Sequence, residues 1–334
     1  MRRAPACAAL CVAVLLGAVS LSLGGTLSAY TASAVTASNT FTGAADWTAP
    51  AVASAAIGHT TSYEAGFIAQ GVGDYYVYAN VGDTGNPASG ITTVTANVTT
   101  ITSGNTAVAL TAGTYSAGGT AYGYRSAAQS VPSSLAAGSR SFTITATDHA
   151  GNAGTQSFST VVDDTAPTAV DVQSTNVSGG TVGHLDLGDT LTLTYSGVID
   201  PYSILPGWTG ATTPVQVAVV DGGSSATDYI VVYNTAASPV QIPLGTVYLG
   251  SPNYLKTGTG NFVSFGATGS ATASTITRSG SAMTIVLGTP SGATSTNTTA
   301  AAMTWTPSTA ATDIAGNPST ATTATQSGTV HANF

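Results

Sequence analysis

Seven residues of this chain recur almost unchanged, far apart along its 334 positions. Ala146-Thr147-Asp148-His149-Ala150-Gly151-Asn152 returns as Ala311-Thr312-Asp313-Ile314-Ala315-Gly316-Asn317, with Asp148 and Asp313 165 positions apart. That spacing is the length of a whole domain. Each copy follows an apolar alternating run, Phe142-Ile144-Ala146 in the first and Met303-Trp305 in the second. Asp and Asn side chains bond their own backbone, and glycine enters the left-handed conformation, so the motif reads as a turn. Two units that end in the same way are therefore expected.

The composition supports strands. Charged residues are 6% of the chain, low enough to raise disorder as an alternative, but 43% are apolar and Tyr contributes 14, so a core can form. Thr and Val favour strands, while 39 Gly and 14 Pro supply turns. Arg2 and Arg3 precede an apolar stretch, Ala8 to Leu23, too short for a comfortable membrane span. Ala32-Ser33-Ala34 then offers a small-residue cleavage site, so residues 1–34 are expected to be a signal peptide rather than a retained anchor. Both cysteines, Cys7 and Cys11, fall in that segment, which leaves the remainder without disulfides or thiolate metal sites. Past residue 34 the chain carries four basic residues against 14 acidic ones, a net charge of −10. Four scattered cations cannot neutralise a phosphate backbone, so nucleic-acid binding is excluded as a reading. No stable membrane span is expected after cleavage.

Residues 35–58 read as an Ala/Thr/Ser-rich lead-in, 59–167 as a first domain and 168–334 as a second, larger one. Alternation marks strands at Tyr75 to Val81, at Val94-Ala96-Val98, at Phe158-Thr160-Val162, at Leu191-Leu193-Tyr195 and at Val215-Val217-Val219. Asp163-Asp164-Thr165-Ala166-Pro167 is the boundary, a short stiff junction because proline holds its predecessor extended. One helical turn is expected at Pro201, capped by Asp200.

These strings carry a resemblance. Tyr75 to Val81, and Asp148-His149-Ala150-Gly151-Asn152 leading to Asp164-Thr165-Ala166-Pro167, resemble bacterial immunoglobulin-like domains. Gly188-Asp189-Thr190-Leu191-Thr192-Leu193-Thr194-Tyr195-Ser196 with Ile199-Asp200-Pro201 resembles a larger immunoglobulin-like or cadherin-like module of surface proteins. Gly25 to Tyr30 and Asn39-Thr40-Phe41 are similar to the leaders of TasA and camelysin-type exported proteins. The resemblance implies an all-β chain of two tandem Ig-like β-sandwiches after a signal segment, located outside the cell or on its surface.

Chemistry is sparse. There is no G-x-S-x-G elbow, and His149 is replaced by Ile314 in the second copy, so no catalytic residue and no enzyme activity are expected. Glu64 is the single glutamate, and the four histidines are scattered. No cofactor is expected beyond calcium, which needs several hard oxygens. Asp148, Asn152, Asp163 and Asp164 offer them near the boundary, as cadherin-like modules do, although the same residues build turns. Trp47, Trp208 and Trp305 are candidates for stacking on sugars; Trp305 alternates with Met303 and belongs in a core. Trp208, after Pro206-Gly207 in a loop, is the better one. The expected role is an exported non-catalytic bacterial adhesin, spacer or assembly subunit, with wall or host-surface glycans or proteins as partners. The alternative is a carbohydrate-binding or accessory module of a secreted enzyme system.

Overall fold

Apolar residues two apart stand on one face of a strand, so the alternating runs seen in the sequence must each bury one side. The computed structural model describes residues 46–334 except Tyr63, Ser224, Ser225 and residues 256–260. The expected signal peptide lies outside the described residues. The chain is nearly all β, built as two large sheets in an all-β sandwich fold.

The first sheet takes β1 (Ala51–Gly58), β2 (Phe67–Ala69), β3 (Asp74–Gly82), β4 (Ile91–Asn97), β5 (Val108–Ala117), β6 (Thr120–Ser126), β7 (Gln129–Ser130), β8 (Gly138–Asp148) and β9 (Ala153–Asp163). Its order is β1-β3-β6-β5-β4-β8-β9-β2, with β7 paired to β3. β1 occupies a stretch that composition alone assigns to the lead-in; its small side chains still alternate well enough to pair. β3 is covered on both faces. Tyr75, Val77 and Ala79 are fully buried on one, and on the other Tyr78 packs with Tyr122 and Ala117. The two rings stand 5.6 Å apart.

The second sheet takes β10 (Ala169–Thr175), β11 (Thr190–Tyr195), β12 (Thr213–Val220), β13 (Tyr229–Tyr233), β14 (Thr246–Tyr248), β15 (Phe262–Phe265), β16 (Ser274–Ser279), β17 (Ala282–Val286), β18 (Thr304–Thr306) and β19 (Ala324–Thr325). One helical turn, α1 (Pro201–Ile204), follows β11, and Asp200 caps it by accepting from the Tyr202 N–H, as the sequence suggests. β12 joins two layers. Thr213 to Val215 pair with β16, whereas Gln216 to Val220 pair with β13 and residues from Val217 onward also with β15. A strand that changes partners midway turns a sandwich corner. The layers β10-β11-β17-β16 and β13-β14-β18-β19 thus belong to one sheet folded over a common core. Leu191, Leu193 and Tyr195 meet Val217, Val219, Ile230 and Trp305 there.

Contacts group the described residues into two compact units. The smaller gathers residues 46–51, 82–93 and 146–154; the larger gathers residues 52–81, 94–145 and 155–334. Among the described residues, no helix is long and apolar enough to cross a membrane.

The centre of the second core is an edge-to-face pair, Tyr195 against Trp305, with ring centroids 4.6 Å apart. The indole N–H donates to the Leu244 carbonyl at 2.8 Å. The Tyr195 hydroxyl is buried with no protein partner among the described residues, and burial drives its pKa up. Removing an unpaired buried hydroxyl relieves a desolvation cost. Tyr195→Phe should therefore keep or raise stability, by up to about 1 kcal/mol, whereas Trp305→Ala should lose about 3–5 kcal/mol. Urea midpoints of the two variants check this; a clear loss in Tyr195→Phe would show that the hydroxyl has a partner.

Candidate functional site

The repeated heptapeptide forms the same turn twice. In the second copy Asp313 Oδ1 accepts from the backbone N–H groups of Ala315, Gly316 and Asn317 at 2.9, 2.8 and 2.8 Å. Its Oδ2 accepts from Asn317 Nδ2 at 2.9 Å. In the first copy Asp148 Oδ1 accepts from the Asn152 N–H and Oδ2 from Asn152 Nδ2, both at 2.8 Å. A backbone pair closes each turn, Asp148 N–H to the Asn152 carbonyl at 3.1 Å and Asp313 N–H to the Asn317 carbonyl at 3.0 Å. Gly151 and Gly316 sit at φ of 90° and 102°, where a side chain would be strained. His149 is exposed and faces the Gly90 carbonyl through Nδ1, so it is a turn residue that Ile314 can replace.

The Asn amide makes one more bond in each copy, and that bond exposes a second repeat. Asn152 Nδ2 donates to the Asp46 carbonyl at 3.2 Å, and Asn317 Nδ2 donates to the Asp163 carbonyl at 3.3 Å. Asp46-Trp47-Thr48-Ala49-Pro50 and Asp163-Asp164-Thr165-Ala166-Pro167 agree at four of five positions. In each, the Asp Oδ1 accepts from the Thr N–H two residues on at 2.9 Å. Each sandwich thus begins with a D-x-T-A-P strap held by its terminal turn. Past the proline the seal differs. Thr320 N–H and Ser319 Oγ donate to the Pro167 carbonyl at 2.9 and 3.1 Å. At the matching place Gly154 lies against the Pro50 carbonyl, and a Cβ would stand 1.8 Å from that oxygen.

The first clamp also gathers three carboxylates. Ligand oxygens of Asp46, Asp83 and Asp148 lie within 4.8 Å of one another. Asp83 comes from the Gly82-to-Pro87 turn, a segment that the sequence marks only as a loop. An all-oxygen set suits a hard cation. All six oxygens, however, already accept hydrogens: Asp46 from the N–H groups of Thr48 and Ser89, Asp83 from those of Gly85 and Gly90, and Asp148 from Asn152 twice. Each of these oxygens thus serves a local turn or strap. Of the calcium set expected from sequence, Asp148 and Asn152 lie in the smaller unit and Asp163 and Asp164 in the larger. Asp148 and Asn152 stand together, but Asp163 and Asp164 belong to no such group among the described residues. Asp163 binds Thr165 through its carboxylate and Asn317 through its carbonyl, and Asp164 reaches Thr165 Oγ1 at 3.4 Å.

The stacking residue expected from sequence is also corrected. Trp208 is 4% exposed and belongs to the second core. Its indole N–H donates to the Ala211 carbonyl at 2.6 Å, so the loop after Pro206-Gly207 folds the ring inward and leaves no face for a sugar. Trp305 is in the core, as its alternation implies. Trp47, in the first strap, is 67% exposed.

Within the larger unit, side chains tie residues of the first sheet region to the second. Arg278 Nη2 pairs with Glu64 Oε1 at 2.8 Å. Arg278 Nη1 also donates to the Ile199 carbonyl at 3.4 Å. His59 presents Nε2 to the Ala315 carbonyl at 2.9 Å and Nδ1 to the Asp74 carbonyl at 2.8 Å.

No family model matches the chain, and no curated protein matches it. Among solved structures it is similar to dimeric latent PorU from Porphyromonas gingivalis, at 17% identity and a TM-score of 0.22. The match covers 73% of this chain and 20% of that one, so the chain spans about a fifth of its length. A likeness this loose carries no argument about the site.

Titration separates the two clamps. The Thr48 and Ser89 N–H groups hold the Asp46 carboxyl below the usual aspartate range. Burial pushes Asp313 up, against the downward pull of Asn317. A depressed folded pKa contributes stability that is present above the unfolded value and lost as pH falls through the folded one. Acid unfolding monitored by circular dichroism should therefore start below about pH 4 and be flattened in Asp46→Asn. An unchanged acid profile in that variant would remove Asp46 from the account.

Proposed function

We propose that this chain is an exported bacterial surface or matrix protein whose tandem immunoglobulin-like sandwiches serve as spacer, adhesin or assembly subunit. The observation that carries the reading is the position of Asp163. It is the last residue of β9 and the first of the strap that Asn317 holds. The exit of one sandwich is thereby the entry of the next, with no slack segment between β9 and the Pro167 contact. The Arg278–Glu64 pair and the His59 contact support the same coupling. Such construction suits a part that bears position or load. The sequence adds a leader of secretory type, a lack of cysteine beyond it and a weakly charged, hydroxyl-rich chain. That role requires no catalytic step, and its partners are wall or host-surface glycans or proteins.

A second reading, binding of neutral glycans, rests on a groove of about 230 Å³ on β12, β13 and β15. Tyr233 and Phe262 supply aromatic surface, Gln216 and Ser264 supply polar groups, and among the described residues no charged side chain lines it. Phe262 is 61% exposed. Aromatic faces with uncharged hydrogen-bonding groups suit sugar rings. This groove takes the place of Trp208 in that reading.

Purified wall sacculi and a glycan array, each probed with the chain lacking residues 1–34, test both readings. Retention on sacculi or host-surface material that survives Phe262→Ala favours the spacer or adhesin. Glycan binding lost at least about tenfold in Phe262→Ala, the equivalent of about 1.4 kcal/mol, favours the groove. Retention on neither surface would contradict both.

A further inference from the structure

We propose that Thr294, His184 and Asp186 form a nucleophile relay able to take an acyl group from a small ester, an activity beyond the surface role proposed above. Thr294 Oγ1 lies 2.8 Å from His184 Nε2, and His184 Nδ1 lies 2.8 Å from Asp186 Oδ1. A hydroxyl, an imidazole and a carboxylate in that order, each within hydrogen-bond reach of the next, are the signature of an activated nucleophile. No elbow motif marks these residues in the sequence. The members come from two loops, residues 176–189 between β10 and β11 and residues 287–303 between β17 and β18. Their contact is 110 positions long and leaves no local pattern.

The relay and the two loops that carry it are held by further hydrogen bonds. Asp186 Oδ2 accepts from the Thr181 N–H at 2.8 Å, which fixes the carboxylate that orients the ring. The neutral ring that donates from Nδ1 to Asp186 has its lone pair at Nε2, facing the hydroxyl. Asp189 is fully buried beside this group and accepts from the Asp186 N–H at 2.7 Å and the Val177 N–H at 2.8 Å, which fixes the loop that carries the carboxylate. The Asp186 carboxylate holds the ring in the orientation that presents Nε2 to the hydroxyl. The loops are stapled independently of the triad, since the Asn297 N–H donates to the Gly183 carbonyl at 2.7 Å. His184 and Asp186 side chains are 29% and 27% exposed, so a small ester reaches the site from solvent.

The step balances without a cofactor. Thr294 Oγ attacks the ester carbonyl carbon and gives its proton to His184 Nε2. The tetrahedral carbon expels the alcohol oxygen, which takes that proton from His184, and the acyl group remains on Thr294 as a new ester. Water, deprotonated by the same nitrogen, then releases the acid and restores the hydroxyl.

The test uses the full chain and p-nitrophenyl acetate, with acetylation sites located by peptide mass spectrometry. The wild type is expected to carry acetate on Thr294, and Thr294→Ser to carry it on the substituted residue. His184→Gln should slow labelling at 294 by at least about a hundredfold, the size of a general-base contribution. Thr294→Val should lose p-nitrophenol release above the solution rate. Asp186→Asn gives a second reading of the base, and thermal melts confirm which variants are folded. Absence in the wild type of both acetate at Thr294 and p-nitrophenol release above the solution rate, or equal labelling and release in folded His184→Gln and Asp186→Asn, would overturn the relay and leave a strap between two loops.

Discussion

A buried carboxylate that caps its own turn, and an asparagine that spends one amide on that carboxylate and on a distant carbonyl, hold this structure in order. Asp313 and Asn317 do this in one sandwich and Asp148 and Asn152 in the other. Buried acceptors left without donors cost about 1–3 kcal/mol each, so such a turn is stable only when complete. The completion comes from the strap, which is why each sandwich's first residues are bonded to its last turn. In a chain without cysteine beyond residue 34, this clamp occupies the place that a disulfide has in many exported sandwiches.

The rest of the architecture follows from where the clamps leave the strands. Once Asp163 is held, β9 must end there and β10 must begin within a few residues. β10 pairs with β11, β11 with β17, and the layer meets β12, which crosses to the other side of the core. The Tyr195–Trp305 contact then closes one layer on the other. The function proposed rests on this chain of constraints: a protein that couples the end of one sandwich to the start of the next is built to hold position.

Much of the fold was legible in the residues. Leu191-Leu193-Tyr195 and Val215-Val217-Val219 alternate with small or polar residues, and strands that bury one face have few other ways to read. Asp200-Pro201 marked the helical turn because a cap and a fixed φ act locally. The heptapeptide announced its turn for the same reason. What escaped is non-local. The Asp46 strap lay in an Ala/Thr/Ser-rich stretch, and its likeness to Asp163-Asp164-Thr165-Ala166-Pro167 gains meaning only when both carbonyls are seen on an Asn amide. Trp208 follows a loop signal, but loop residues turn inward when an indole N–H finds a carbonyl and its ring finds a core. Among the expected calcium residues, each Asp serves its own local turn. Asp83, far from either motif in sequence, joins Asp46 and Asp148, and Thr294 meets His184 in the same way.

The most direct measurement of the central claim is native-state hydrogen exchange on Asn317→Ala beside the wild type. The variant removes the side-chain amide that donates to Asp313 Oδ2 and to the Asp163 carbonyl, which keeps the Gln70 N–H at 3.2 Å. Exchange should accelerate at the Ala315, Gly316 and Asn317 turn and, together with it, at Thr165 and Thr320 in the strap region, while β12 and β13 keep their protection. Acceleration confined to the turn, with the strap region unchanged, would show that strap and turn are independent and would contradict the account.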